Sequence, residues 1–327
     1  MTVYQLSHPE AWALATLLHL PLQPGSALAD WLASAPTPQV DEFLSETTLK
    51  DLAAKGYYRG PKSATPFDES LIRALTLVSV NAALITVLLR TNGRVALVRF
   101  AQAGESYVQL GMDESGLALH PVMPVHHLQQ TLLPGWFTVG HTEDVQDTLP
   151  LEAFLLFTHA CNLADWAFVR SDFYQRSFSV QELIENLRRS AAWWEVFKAA
   201  EVKGVPAVAE LPLESTLNLL IERDYLTRIA DDLLTIGNTA KPLAATLTAP
   251  ESCTLTLSLQ IWEEDEVVCG VFLHGDGRLF LLEFVPGQVN IQQLDSLERA
   301  HSWVERLLER GRQARYAEYA VPPAAPQ

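Results

Sequence analysis

The sequence is short of cysteine: Cys161, Cys253 and Cys269 are the only three in 327 residues. No pair has C-x-x-C spacing, which excludes a zinc ribbon and a thioredoxin-like redox motif. Cys253 and Cys269 fall where neighbouring strands are expected and are read as reduced core thiols. Cations are scarce too: 23 Lys and Arg against 39 Asp and Glu give a formal net charge of −16. A field of that sign repels phosphate backbones and acidic membrane surfaces. The densest basic stretch, Arg306–Arg315, is interleaved with Glu309. Neither nucleic-acid nor membrane binding is therefore expected.

Long apolar runs are missing as well. The longest, Leu75–Leu89, contains Ser79, Asn81 and Thr86 and is too short to span a bilayer. The first residues lack the basic segment and cleavage site of a secretory signal. Ser7-His-Pro-Glu10 reads instead as a helix start, with Ser7 as N-cap and Glu10 completing a capping box. A soluble cytoplasmic protein is expected. Catalytic signatures are absent: the chain has no P-loop, no dinucleotide-binding glycine fingerprint, no H-E-x-x-H and no G-x-S-x-G.

What remains is a globular composition, 48% apolar and 19% charged. Helical patterning comes first, at about His8–Leu20, around Trp31, at Thr47–Tyr58 up to a stop at Gly56, and near Leu71–Leu77. The period then changes to alternation. Strands are predicted at Ala83–Arg90, Arg94–Gln102 and Ser106–Gly111, the first two joined by an Asn-Gly turn. A short strand within Gly116–Val122 and a helix at Pro124–Leu133 close the unit.

The same order returns later. STLNLLIERDYL (Ser215–Leu226) echoes TTLKDLAAKGYY (Thr47–Tyr58), and a helix follows at Lys241–Leu247. Strands are predicted at Cys253–Trp262, Val267–His274 and Leu279–Val285, then a short one in Pro286–Leu294 and a helix at Ser296–Arg310. A shift of 172 places Ile85 on Leu257, Val95 on Val267, Phe100 on Phe272 and Leu110 on Leu282. These correspondences predict an α+β fold of two related helix–helix–antiparallel meander–helix units in a pseudo-two-fold arrangement, with an inserted helical pair. The expected domains are 1–147, the first unit with its N-terminal helices; 148–209, the insertion; 210–312, the second unit; and 313–327, a proline-rich flexible tail.

Candidate chemistry is sparse. His126 and His127 are adjacent and diverge on a helix, so with His120 they read as surface or helix-start residues rather than metal ligands. His141, Glu143 and Asp144 fall in a polar loop, Glu263–Glu266 in a hairpin turn, and Asp231 and Asp232 in a solvated connection. His274–Arg278 (HGDGR) is followed by a strand and not a helix, which makes it a turn and not a phosphate cradle. His159 and Cys161 point to different faces of one helix. No catalytic, cofactor-binding or metal-binding residue is assigned, and no cofactor is expected. In the insertion, Trp193 and Phe197 share a helix face and Trp194 lies a quarter-turn away. These three are either buried between the units or contact a partner, and they are the candidate partner-binding residues.

LKDLAAKGYY (Leu49–Tyr58), DESLIRALTL (Asp68–Leu77) and LQQTLLPGW (Leu128–Trp136), in that order around a meander, resemble the EspG-type secretion-associated proteins. The resemblance implies a quasi-two-fold antiparallel sheet with helical bundles and a role as a cytosolic chaperone of type VII secretion that binds helical substrate dimers. It covers Leu49–Trp136 and, through the repeat, the second half. The aromatic segment Thr148–Ala209 has no counterpart in it, and the AGES turn is shorter than an extended substrate-gripping loop, so no binding residue carries over. The expected function is a non-catalytic protein-binding role. The alternatives are a ligand-binding protein or enzyme with a site between the halves, and a winged-helix-like DNA-binding regulator around DYLTR (Asp224–Arg228).

Overall fold

The computed structural model describes residues 3–34, 44–91, 94–112, 116–140, 143–170, 177–189, 211–249, 251–262 and 266–314. Its helices are α1 His8–Leu17, α2 Ala27–Ala33, α3 Glu46–Ala54, α4 Glu69–Val80, α5 Val125–Leu132, α6 Leu151–Arg170, α7 Val180–Arg189, α8 Leu213–Glu222, α9 Lys241–Thr248 and α10 Leu297–Gln313. The main sheet contains β1 Tyr4–Leu6, β2 Ala83–Thr91, β3 Arg94–Ala103, β4 Ser106–Met112, β5 Leu117–Leu119, β6 Met123–Pro124, β7 Gln146–Pro150, β11 Cys253–Ile261, β12 Glu266–Gly275, β13 Arg278–Val285 and β14 Gln288–Gln293. A small separate sheet joins β8 Ser177–Ser179, β10 Leu233–Ile236 and β9 Leu226–Arg228.

The order across the main sheet is β1-β5-β4-β3-β2-β11-β12-β13-β14-β7, with β6 on β4. Every recorded pairing is antiparallel, and the fold is α+β. The order reads alike from both ends: an edge strand, a meander in reverse, two central strands, a meander, an edge strand. At the centre β2 and β11 pair over their full lengths, with Thr86 opposite Ser258, the residue 172 further along the chain. One step out, the ungapped correspondence slips. The β2–β3 hairpin closes around two residues and the β11–β12 hairpin around four. Ala96 therefore stands where Glu266 does, and the counterpart of Phe100 in the ladder is Gly270 rather than Phe272.

Residues opposite one another in an antiparallel ladder share a face. One face is covered centrally by α5 and α10, which pack Leu128, Trp303, Val304 and Leu308 on Ile85, Phe100, Leu257 and Phe272. On the other face α1, α2 and α4 cover Ala101, Val108 and Leu110, while α6, α8 and α9 cover Val271, Leu273, Leu282 and Ile291. Segment 148–209, expected as an insertion, completes β7 and supplies α6, which stands to the second meander as α1 and α2 stand to the first.

Local chemistry explains the helix starts. Ser7 caps α1, accepting the Glu10 N–H while Glu10 accepts the Ser7 N–H at 2.7 Å. Asp68 caps α4 through the Leu71 N–H at 3.0 Å and also accepts the Tyr4 hydroxyl at 2.9 Å, which ties β1 to that helix. The Leu71 N–H, with the Tyr4 hydroxyl beside it, lowers the Asp68 pKa against the opposing effect of burial. Gly270 leaves room for Trp303, since a Cβ there would lie 2.4 Å from the ring. Stretch 227–240, expected as a plain connection, contains most of the β9–β10 hairpin, whose strands are only three and four residues long.

Candidate functional site

The two echoing stretches do the same work in the two halves. Thr48 and Thr216, Leu52 and Leu220, and Tyr57 and Tyr225 are buried pairs at a constant offset. Each helix ends in a left-handed residue, Gly56 at φ 76° and Asp224 at φ 55°. Asp224 tolerates that conformation because its carboxylate accepts from Thr227 Oγ1 at 3.1 Å and from the Thr239 N–H at 3.2 Å. The residue before each left-handed position is a cation, and the residue after it is tyrosine. In the first half Tyr57 Oη accepts the Gln5 N–H at 3.0 Å, and Lys55 Nζ donates to the Gln5 carbonyl at 3.1 Å. In the second half Arg223 Nη1 donates to the Thr148 carbonyl at 2.6 Å and to Asp147 at 3.2 Å, and the Asp147 carboxylate lies near the buried Tyr225. Gln5 lies in β1 and Asp147 and Thr148 in β7, the two ends of the sheet. Side chains thus occupy backbone groups that an incoming strand would need.

The sheet has an open edge elsewhere. β3 pairs with β2 from Arg94 to Gln102 but with β4 only from Arg99 to Ala103. On the β4 side, residues 94–98 have no strand partner among the described residues. The equivalent open stretch of β12 is three residues, 266–268. Val95 is 62% exposed and Leu97 52%, and both lie on the face that α1, α2 and α4 cover further along. Arg90 and Arg99 share that face. Neither they nor Arg94 makes an ion pair or side-chain hydrogen bond among the described residues. Where β3 and β4 diverge, a notch of about 300 Å³ opens between Leu97 and Arg99 on one side and Leu110, Gly111 and Met112 on the other. The first half of the hairpin pattern, apolar residues on both strands, was visible in the sequence; the missing cross-strand partner was not.

A second depression, about 730 Å³, lies on the second half among Ile229, Ile236, Lys241, Pro242, Asp276 and Arg278. It is not between the halves. Its cations are engaged: Arg278 pairs with Glu143 at 3.0 Å and with Asp276, and Lys241 hydrogen-bonds Asn238.

The other sequence candidates do not converge. Trp193, Trp194, Phe197 and His141 lie outside the described residues, as do Glu263, Glu264 and Asp265. His126 and His127 are exposed on α5, and His120 is half-buried. No group of three metal-ligating side chains is brought together among the described residues. Asp231 and Asp232 are exposed at the β9–β10 turn, and Asp276-Gly277, at φ 52° and 65°, form the two-residue turn of the β12–β13 hairpin. Tyr225 of the DYLTR segment is buried, and burial together with Asp147 raises its pKa.

Two histidines are buried, His159 on α6 and His274 within β12. His159 Nδ1 bonds Asn186 Oδ1 at 3.1 Å across α6 and α7, and burial depresses its pKa. His274 stacks on Phe137 with centroids 5.2 Å apart, and its Nε2 accepts the Thr138 N–H at 3.3 Å. That places the proton of the neutral ring on Nδ1. Burial lowers the His274 pKa, opposed by Thr138 and by the Glu251 carboxylate. All three cysteines are free and buried; burial pushes the thiols of Cys253 and Cys269 up to about 11 and about 12. An inert thiol opposite a neutral imidazole, as at the Cys253–His274 pair, is not a nucleophile–base dyad.

Among the described residues no helix is long and apolar enough to cross a membrane. No family model and no curated protein sequence matches the chain. Among solved structures, the chain is similar to the Mycobacterium tuberculosis type VII secretion system chaperone EspG5, solved in complex with a PE25–PPE41 dimer. The similarity covers 97% of this chain and 99% of that one, at 10% identity and a TM-score of 0.40.

Proposed function

We propose that the protein is a non-catalytic, cytoplasmic protein-binding protein and that the exposed part of the β2–β3 hairpin is where its partner docks. The observation that carries this is the pairing of a backbone edge at 94–98, open among the described residues, with exposed Val95 and Leu97, in a sheet whose two end strands are engaged by side chains. Exposed apolar side chains beside unpaired strand are costly to leave bare and mark interaction surfaces. The finer form of the proposal is a secretion-associated chaperone with helical clients, supported by the sequence resemblance at Leu49–Tyr58, Asp68–Leu77 and Leu128–Trp136.

The test is co-expression with each protein encoded beside its gene, followed by co-purification. A 1:1 comparison with the double variant Val95→Asp/Leu97→Asp shows whether the hairpin is used. Loss of the complex, with an unchanged circular dichroism spectrum and urea midpoint, is the expected result. A complex that survives the double substitution removes the hairpin from the proposal. Absence of any partner, from neighbours or native lysate, with a monomer at high concentration, removes the binding role itself.

A further inference from the structure

We draw no further inference here: the strongest candidate, the depression of about 730 Å³ on the second half between the β9–β10 turn and α9, carries nothing, because its cations Arg278 and Lys241 are already held by Glu143, Asp276 and Asn238 and nothing in the structure shows what covers its apolar wall of Ile229, Ile236 and Pro242.

Discussion

Lys55 and Arg223 hold the same position in the two halves, each directing its cation at a backbone carbonyl of an end strand, that of Gln5 or that of Thr148. They differ in what else they meet. Lys55 Nζ also lies 2.7 Å from both carboxylate oxygens of Glu10, whose side chain is only 4% exposed. Arg223 pairs with Asp147, which is 30% exposed.

From this difference the two substitutions should separate. Lys55→Met leaves a buried carboxylate with only its Ser7 partners and should cost about 2 kcal/mol. Arg223→Met removes contacts that water replaces and should cost under about 1 kcal/mol. Urea midpoints measured on both variants check the order; equal losses would mean that Glu10 does not depend on Lys55.

Histidine burial gives a pH dependence with a definite sign. The folded pKa of His274 and of His159 lies below the ordinary 6.5, so below that pH the unfolded chain binds more protons than the folded one. Their contribution is complete above about 6.5 and is lost as pH falls from there toward the depressed folded values. Comparing urea midpoints at pH 7.5 and pH 5.5 should show a smaller drop in His274→Phe than in the unsubstituted protein. An identical drop in the two would place the titration elsewhere.

Thiol chemistry should be silent in the folded protein. Cys161, Cys253 and Cys269 are buried, and the raised pKa of Cys253 and Cys269 keeps those two protonated at neutral pH. A thiol-disulfide dye should report none of the three in native buffer and all three in guanidinium. A native fast-reacting equivalent would show that one of these packing sites opens.

Much of this architecture is written in local signals. Ser7 and Glu10 specify the start of α1, Gly56 its counterpart stop at α3, and alternating runs from Ala83 and Cys253 specify the meanders. Those signals depend on neighbours within four residues or on a period of two. The edge clamp was half legible: Lys-Gly-Tyr and Arg-Asp-Tyr sit at one offset after matching leucines, but their targets, Gln5 and Thr148, are 50 and 75 residues away. β1 and β9 are three residues each, too short to show a period. The edge at 94–98, open among the described residues, was invisible because it is defined by β3 and β4 parting beyond Arg99 and Leu110, a property of pairing and not of composition.

The position of Thr86 opposite Ser258 has a consequence for how the chain holds together. A first half on its own would carry the nine-residue strand β2 with one side bare, and the second half would carry β11 in the same condition. Cutting the connector between β6 and β7 would convert that central ladder into an association whose strength rises and falls with concentration. Covalent continuity between the halves makes the sheet indifferent to dilution.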